Sequence, residues 1–324
     1  MSRGDKILYG IALLGLLAAS IFPFTSPSGF WLRTLTFVFM AAILAQGWNF
    51  IGGYTGYVSF GNMAFFGLGA YVTGILMAKA HVDFAPSMLA GGVFCAGFAI
   101  IVGLPLLRLK GHYFAVATLG VSVAVREIIA GWDSLTGGGI GLNLPINPDR
   151  NSFQQIYFWM LAVLTISILV TFLLARHRAG YAWLAIRENE YAARALGIDT
   201  TMYKTLAFAL TGLFTGLAGG VYAYYNTTIS PDAIFDIAAY TANPILITIL
   251  GGSGTVLGPL FGALIFQILS TYLSFQFPGL QFTFLGLAMI LVIIFIPGGV
   301  LEYLTGRRVM SVASLLQAPR ENRA

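Results

Sequence analysis

Apolar runs close to twenty residues long alternate with short polar breaks along nearly the whole chain. A helix needs about twenty apolar residues to cross a bilayer. The runs fall at Ile7–Phe24, Phe30–Phe50, Gly52–Met77, Ala85–Leu107, Tyr113–Ile129 and Ile156–Ala175, then from Lys204 to about Tyr225. A shorter run, Ala239–Leu250, another opening at Gly254, and Leu280–Ile296 complete the series. The pattern predicts an all-α polytopic membrane protein of about ten transmembrane helices. Residues 1–324 then form a single transmembrane domain with no room for a separate soluble unit.

Within the runs, small residues mark special positions. Glycines 52, 53, 56, 61, 67, 69 and 74 crowd one stretch, which reads either as a close-packing face or as a discontinuous helix lining a cavity. Gly212, Gly216 and Gly220, and again Gly254, Gly258 and Gly262, recur at four-residue spacing, as helix-packing faces do. Asn243-Pro244 breaks or kinks the short run Ala239–Leu250; were that segment re-entrant, the sidedness of the later spans would change. Gln46, Asn49, Ser59 and Asn62 are polar within apolar surroundings. They either line a translocation path or hydrogen-bond between helices.

One long polar segment interrupts the pattern, residues 176–204, with five Lys/Arg and three acids. Asn189 is placed to cap a short helix from Glu190 to Leu196, Glu190 and Arg194 stand at i,i+4 with the acid first, and Gly197 occupies the left-handed C′ position. Ala192 and Ala193 leave a small-residue face on which another surface can approach. The segment is either an ordinary solvated basic loop or a docking element.

Composition sharpens the class. The chain is 58% hydrophobic and 9% charged, with mean hydropathy +0.84, far from the ~25% charged residues of soluble domains. The net charge of +5 fits loops facing anionic lipid, and is not a nucleic-acid signature. The single cysteine, Cys95, lies in an apolar run and excludes a disulfide framework. On the layout above, thirteen Lys/Arg fall on one side and four (Arg33, Lys79, Arg126, Arg150) on or near the other. The positive-inside rule then puts both termini, the loop 176–204 and the basic tail 303–324 in the cytoplasm. Trp132–Asn151 becomes the longest outer loop.

Several chemistries are excluded. None of the four lysines follows a glycine, so no P-loop exists. His81, His112 and His177 never approach zinc-site spacing, and Asp232 and Asp236 lack the adjacent-carboxylate pattern of a membrane transferase. Apart from Arg126 and Glu127 near a span end, no charge lies deep in a run. An ion-coupled carrier generally needs such charges or broken-helix ion sites. The energy for transport is therefore expected from outside the chain.

Glu190, Ala192, Ala193 and Gly197 resemble the EAA loop of ABC-importer permeases, the cytoplasmic helix that docks on an ATPase. WLAIRENEYAARALGID, GGYTGYVSFGNMAFFGLGAY, RLKGHYFAVATLGVSVAVREI, LTGGGIGL, FALTGLFTGLAGGVYA, ILGGSGTVLGPLFGA and IPGGVL come in the order of the M-type branched-chain amino acid permeases. The Glu lies one residue further upstream of the Ala pair than in the general EAA pattern, whose hydrophobic-Pro tail is absent here. Asn62 stands where the family often has His, and Gly138-Gly139 where it commonly has Pro-Asn. The resemblance implies a type II (vitamin B12-permease-like) importer fold in the bacterial inner membrane. It implies partnership with a second, H-type permease, two ATPase subunits that bind the ATP, and a periplasmic substrate-binding protein. Arg187, Glu188, Asn189, Glu190, Ala192, Ala193 and Gly197 are the expected ATPase-coupling residues, with no cofactor, metal or catalytic centre in this chain. The expected cargo is a branched-chain or related hydrophobic amino acid, with urea, short amides or aromatic acids as family alternatives and an ATP-independent channel as the rival class.

Overall fold

The computed structural model of the protein describes residues 3–25, 29–145, 153–226 and 228–277, with isolated positions from 280 to 301. Helices α1 (Arg3–Ile21), α2 (Gly29–Trp48), α3 (Asn62–Ala78), α4 (Phe84–Leu106) and α5 (His112–Ala130) lead to a single turn, α6 (Asp133–Thr136). Then come α7 (Phe153–Arg176), the short pair α8 (Arg178–Glu188) and α9 (Glu190–Ala195), and the long α10 (Thr200–Asn226). A turn, α11 (Pro231–Ile234), precedes α12 (Asn243–Gly251) and α13 (Gly258–Gln276). Among the described residues the strands are β1 (Leu142–Asn143) and β2 (Thr228–Ile229), paired antiparallel with Leu142 opposite Ile229.

Among the described residues, seven helical stretches are long and apolar enough to cross a membrane, including Gly29–Tyr54, Thr200–Asn226 and Pro231–Gly251. Tyr9–Thr25 and Asn62–Ala78 are shorter apolar helices. The chain is thus a multi-pass membrane protein. The expected last span, 280–296, lies largely outside the described residues, as do the tail 303–324 and part of the loop 132–151.

Helix α10 forms the centre because its glycines let two neighbours come close. A Cβ on Gly212 would lie 2.6 Å from the Cys95 carbonyl oxygen of α4, and one on Gly219 would lie 2.0 Å from the Phe66 carbonyl oxygen of α3. A Cβ on Gly69 of α3 would meet the Gly216 carbonyl oxygen at 2.1 Å. Between lipid-solvated helices, close van der Waals contact of this kind supplies much of the association energy. Aromatic pairs fill the flanks: Phe66 stacks on Tyr240 at 4.0 Å, and Phe84 on Tyr224 at 4.2 Å.

The glycine-rich stretch behaves in both of the ways its composition allows. Its second half packs as α3, whereas its first half is a break. The helix of α2 widens to a π-turn over Asn49–Tyr54, and residues 55–61 are not helical. The Trp48 ring occupies the space beside Gly52, and its indole N–H donates to the Ser59 carbonyl at 2.9 Å. A second π-turn, Ala238–Ala242, leads into α12 at Asn243-Pro244. Pro244 comes just after the π-turn, where the regular hydrogen-bond ladder is already interrupted.

The two ends of the bundle gather different loops. At one end Arg126 pairs with Asp232 at 2.5 Å and with Glu127 at 2.7 Å, Lys79 donates to the Ser134 carbonyl, and β1 meets β2. The charges near the outer end of α5 are therefore paired across loops. At the other end lie residues 108–110, 176–204 and the turn 251–255. The stretch Pro231–Gly251 begins beside Arg126 and ends beside Arg187. It runs from one end of the bundle to the other and does not turn back.

Candidate functional site

The polar segment 176–204 folds into two short helices at the end of the bundle where basic loops collect. In α9 the expected signals are all present. The Asn189 side-chain oxygen accepts from the Tyr191 and Ala192 amides at 2.9 and 3.1 Å. Arg194 donates to Glu190 at 3.0 Å. Gly197 has φ +84°, with nothing near its absent Cβ, so only its backbone conformation demands glycine. Ala193 is buried against the body, while Ala192, Tyr191 and Leu196 are exposed.

Helix α8 is not evident from the sequence, and it is not solvated throughout. Ala179, Ala182, Trp183 and Ile186 share a buried face, the i,i+3,i+4 spacing of an amphipathic helix. Trp183 is fully enclosed, edge-on to Phe50, and donates to the Tyr203 carbonyl at 2.8 Å. Tyr181 and Leu184 are exposed on the other side. The two helices therefore present Tyr181, Leu184, Tyr191, Ala192 and Leu196 outward beside charged residues.

Three charged residues of the segment turn inward. Arg187 Nη1 donates to the Gly53 carbonyl at 2.8 Å, inside the π-turn. Its side chain also fills the space beside Gly56 (φ +75°) and Gly254 (φ +76°), where a Cβ would lie 3.2 Å from Arg187 Cγ and 2.6 Å from Nη1 respectively. Burial lowers the Arg187 pKa from its ordinary value, opposed by neighbouring Glu188. Glu188 itself lies at the end of α8.

Glu190 accepts from Lys204 Nζ at 2.8 Å, from Thr200 at 3.2 Å and from the Tyr57 hydroxyl. Lys204 lies near the start of α10 and is 3% exposed. The sequence pattern placed Lys204 at a loop boundary in water, and the structure corrects this. Its ammonium also donates to Tyr57 Oη at 3.1 Å and to the Leu107 carbonyl at 3.0 Å. Three acceptors thus match the three N–H bonds of an ammonium. Burial tends to raise the Glu190 carboxyl, but the hydrogen bonds from Lys204 and Tyr57 and the nearby lysine charges hold it below its ordinary value. Burial, then the bond to Glu190, pushes the Tyr57 phenol well above its own. Both shifts favour the phenol as donor and the carboxylate as acceptor.

The four candidate path residues are all buried, at the inner end of α2 and around the break. Asn49 clasps a second turn: its amide donates to the Thr255 carbonyl and its oxygen accepts from the Gly254 amide, both at 2.8 Å. The Ser59 hydroxyl accepts from the Gly61 amide at 3.1 Å. Gln46 donates to Thr171 at 2.6 Å, and Asn62 to the Leu44 carbonyl at 3.3 Å. The side-chain oxygens of Gln46 and Asn62 are buried without a partner. In this chain all four bind neighbouring protein, and reasoning from residue type misses the clasp between Asn49 and the turn 252–255. An amide at the end of an apolar run, followed by glycines, is its sequence signal.

No group of three or more potential metal ligands occurs among the described residues. The family model described as branched-chain amino acid transport system / permease component matches residues 30–294. The chain is 28% identical to the high-affinity branched-chain amino acid transport system permease protein LivM of Salmonella typhimurium, over 92% of this chain and 76% of that protein. It is 29% identical to the protein of the same name from Escherichia coli, over 91% and 74%. It is also 30% identical to the autoinducer 2 import system permease protein LsrC of Salmonella paratyphi B, over 88% and 84%. No solved structure matches the chain.

Proposed function

The chain belongs to the family of branched-chain amino acid transport permease components, and from that premise we propose that it is one of two permease subunits of an ATP-driven importer for branched-chain or related hydrophobic amino acids. Its partners are a second, H-type permease, two ATPases and a periplasmic substrate-binding protein, assembled in a bacterial inner membrane. Seven spans, two shorter apolar helices and the run 280–296 make ten crossings of a type II importer fold with both termini inside. The whole chain is one permease domain, with the loop 176–204 and the tail 303–324 on the cytoplasmic face.

The observation that carries this reading is the outward face of α8 and α9. Tyr181, Tyr191 and Leu196 are exposed beyond the ends of the spans, where lipid does not cover them, on a helix pair fixed to the body by Trp183 and Glu190. An exposed apolar cluster on a rigid base suits a protein partner. The Asn189 cap, the Glu190–Arg194 pair and Gly197 supply its frame. Binding protein docks at the opposite end, and the cargo moves by alternating access between the two permeases. Gln46 and Asn62, with their unpartnered oxygens, are the two path candidates retained.

Gly197→Arg adds bulk and backbone strain at this face, where a Cβ would meet nothing within 4 Å. Purification of the intact complex from detergent is expected to recover ATPase with the native chain and not with Gly197→Arg. Recovery of no ATPase with either would leave a self-contained channel as the better account. The LsrC match supports a second reading of the cargo alone, autoinducer 2. Competition for binding-protein-dependent uptake by leucine against autoinducer 2 separates the two.

A further inference from the structure

We propose that Arg187 and Glu190 are positioning residues that tie the coupling helices to the broken helix at 49–61, and that Lys204 and Tyr57 complete this tie, so that none of the four is an ATPase contact. The inference rests on the coupling reading above and divides the segment by role: Tyr181, Tyr191 and Leu196 receive the partner, and the inward charges pass on its movement.

Placement excludes these groups from a docking face. Glu190 keeps 10% and Lys204 3% of side-chain surface. Lys204 spends all three of its N–H bonds inside the chain, and both Glu190 oxygens accept from within it. A partner could reach them only by dismantling the cluster. Buried charges rarely stabilise a fold more than apolar side chains of the same shape would. What a fully satisfied, short-range cluster does supply is rigid registration between the elements it joins.

The elements joined here are informative. Glu190 is the first residue of α9, Arg187 lies in the last turn of α8, and both reach the same break between α2 and α3. That break is in turn held by three other parts of the molecule. Asn49 clasps the turn 252–255 between α12 and α13. The Phe60 amide donates to Thr118 at 3.0 Å, and Ser122 donates to the Phe60 carbonyl at 3.3 Å, both on α5. The Met63 amide donates to Thr241, in the second π-turn, at 3.1 Å. A displacement of α8 and α9 therefore reaches α5, α12 and α13 through one segment, the π-turn Asn49–Tyr54 and the non-helical residues 55–61, and in the latter φ and ψ can change without breaking a helix.

The test needs no cargo. Val58 lies within the break, is 43% exposed and takes part in none of the bonds described above, and the chain's single cysteine, Cys95, is buried and stays silent. In the assembled complex with cysteine-free partners, Val58→Cys is labelled with a water-soluble maleimide before and after ATP with vanadate. Nucleotide is expected to change the labelling rate in the native background. The paired variant Glu190→Gln/Lys204→Met, which removes both charges together and strands neither, is expected to lose that response while ATPase still copurifies. Tyr57→Phe, a milder change on the body side, should weaken the response and keeps the question answerable if the paired variant fails to fold. The proposal is overturned if the native complex shows no response, or if the response survives both variants. It is also overturned if the paired variant loses ATPase with its melting temperature unchanged, since Glu190 would then be a contact. A native complex without ATPase defeats the importer reading itself, a separate result.

Discussion

At the residue scale, Lys204 carries the most information that its sequence position conceals. A lysine at the end of a basic loop reads as one more cytoplasmic charge, yet it is enclosed by Glu190, Tyr57 and the end of α4. Removing one member of a buried pair costs more than removing both, because the survivor stays desolvated. Lys204→Met is therefore expected to destabilise the solubilised protein by about 2–3 kcal/mol, slightly under the usual range because Glu190 keeps some contact with water. Glu190→Gln/Lys204→Met should recover most of that loss. Melting in detergent, followed for the single and paired variants, checks this, and equal melting temperatures for the two would refute it. Asn49 makes the same point with neutral groups. Its type and surroundings announce a buried amide, but its partners Gly254 and Thr255 lie some two hundred residues away along the chain.

At the element scale, short-range chemistry and long-range packing divide α9 from α8. The cap, the i,i+4 pair and the left-handed glycine of α9 are all local, and so are readable from Asn189, Glu190, Arg194 and Gly197. Helix α8 depends on burying Trp183 beneath Phe50 and Tyr54, which belong to a distant turn, and its amphipathic face is short. For α9 the cap is the main local support, since only Ala193 and the Glu190 carboxylate anchor it to the body. Asn189→Ala should cost about 1 kcal/mol and speed amide exchange at residues 190–195 by about fivefold. Exchange that rises equally in α8 would mean that the two helices open as one unit.

At the scale of the whole molecule, the loops that the Lys and Arg distribution assigns to opposite sides gather at opposite ends of the bundle. Arg126–Asp232 and the β1–β2 pair lie at one end, and Arg187–Gly53 and Lys204–Leu107 at the other. In right-side-out vesicles, Ile140→Cys should react with an impermeant thiol reagent and His177→Cys should not, both being exposed in the fold. Inverted vesicles should reverse the result. Labelling of both from one side would overturn the layout.

The membrane class, the long apolar spans, the packing glycines and the α9 caps are determined by the sequence alone, because each depends on hydropathy or chemistry within a few residues. Tertiary structure alone decided that the glycine-rich stretch both breaks and packs, and that Pro231–Gly251 runs end to end. It alone joined Arg187 and Glu190 to that break. These features depend on which distant backbone carbonyl or aromatic ring meets a side chain, and hydrophobic periodicity carries no record of such pairings.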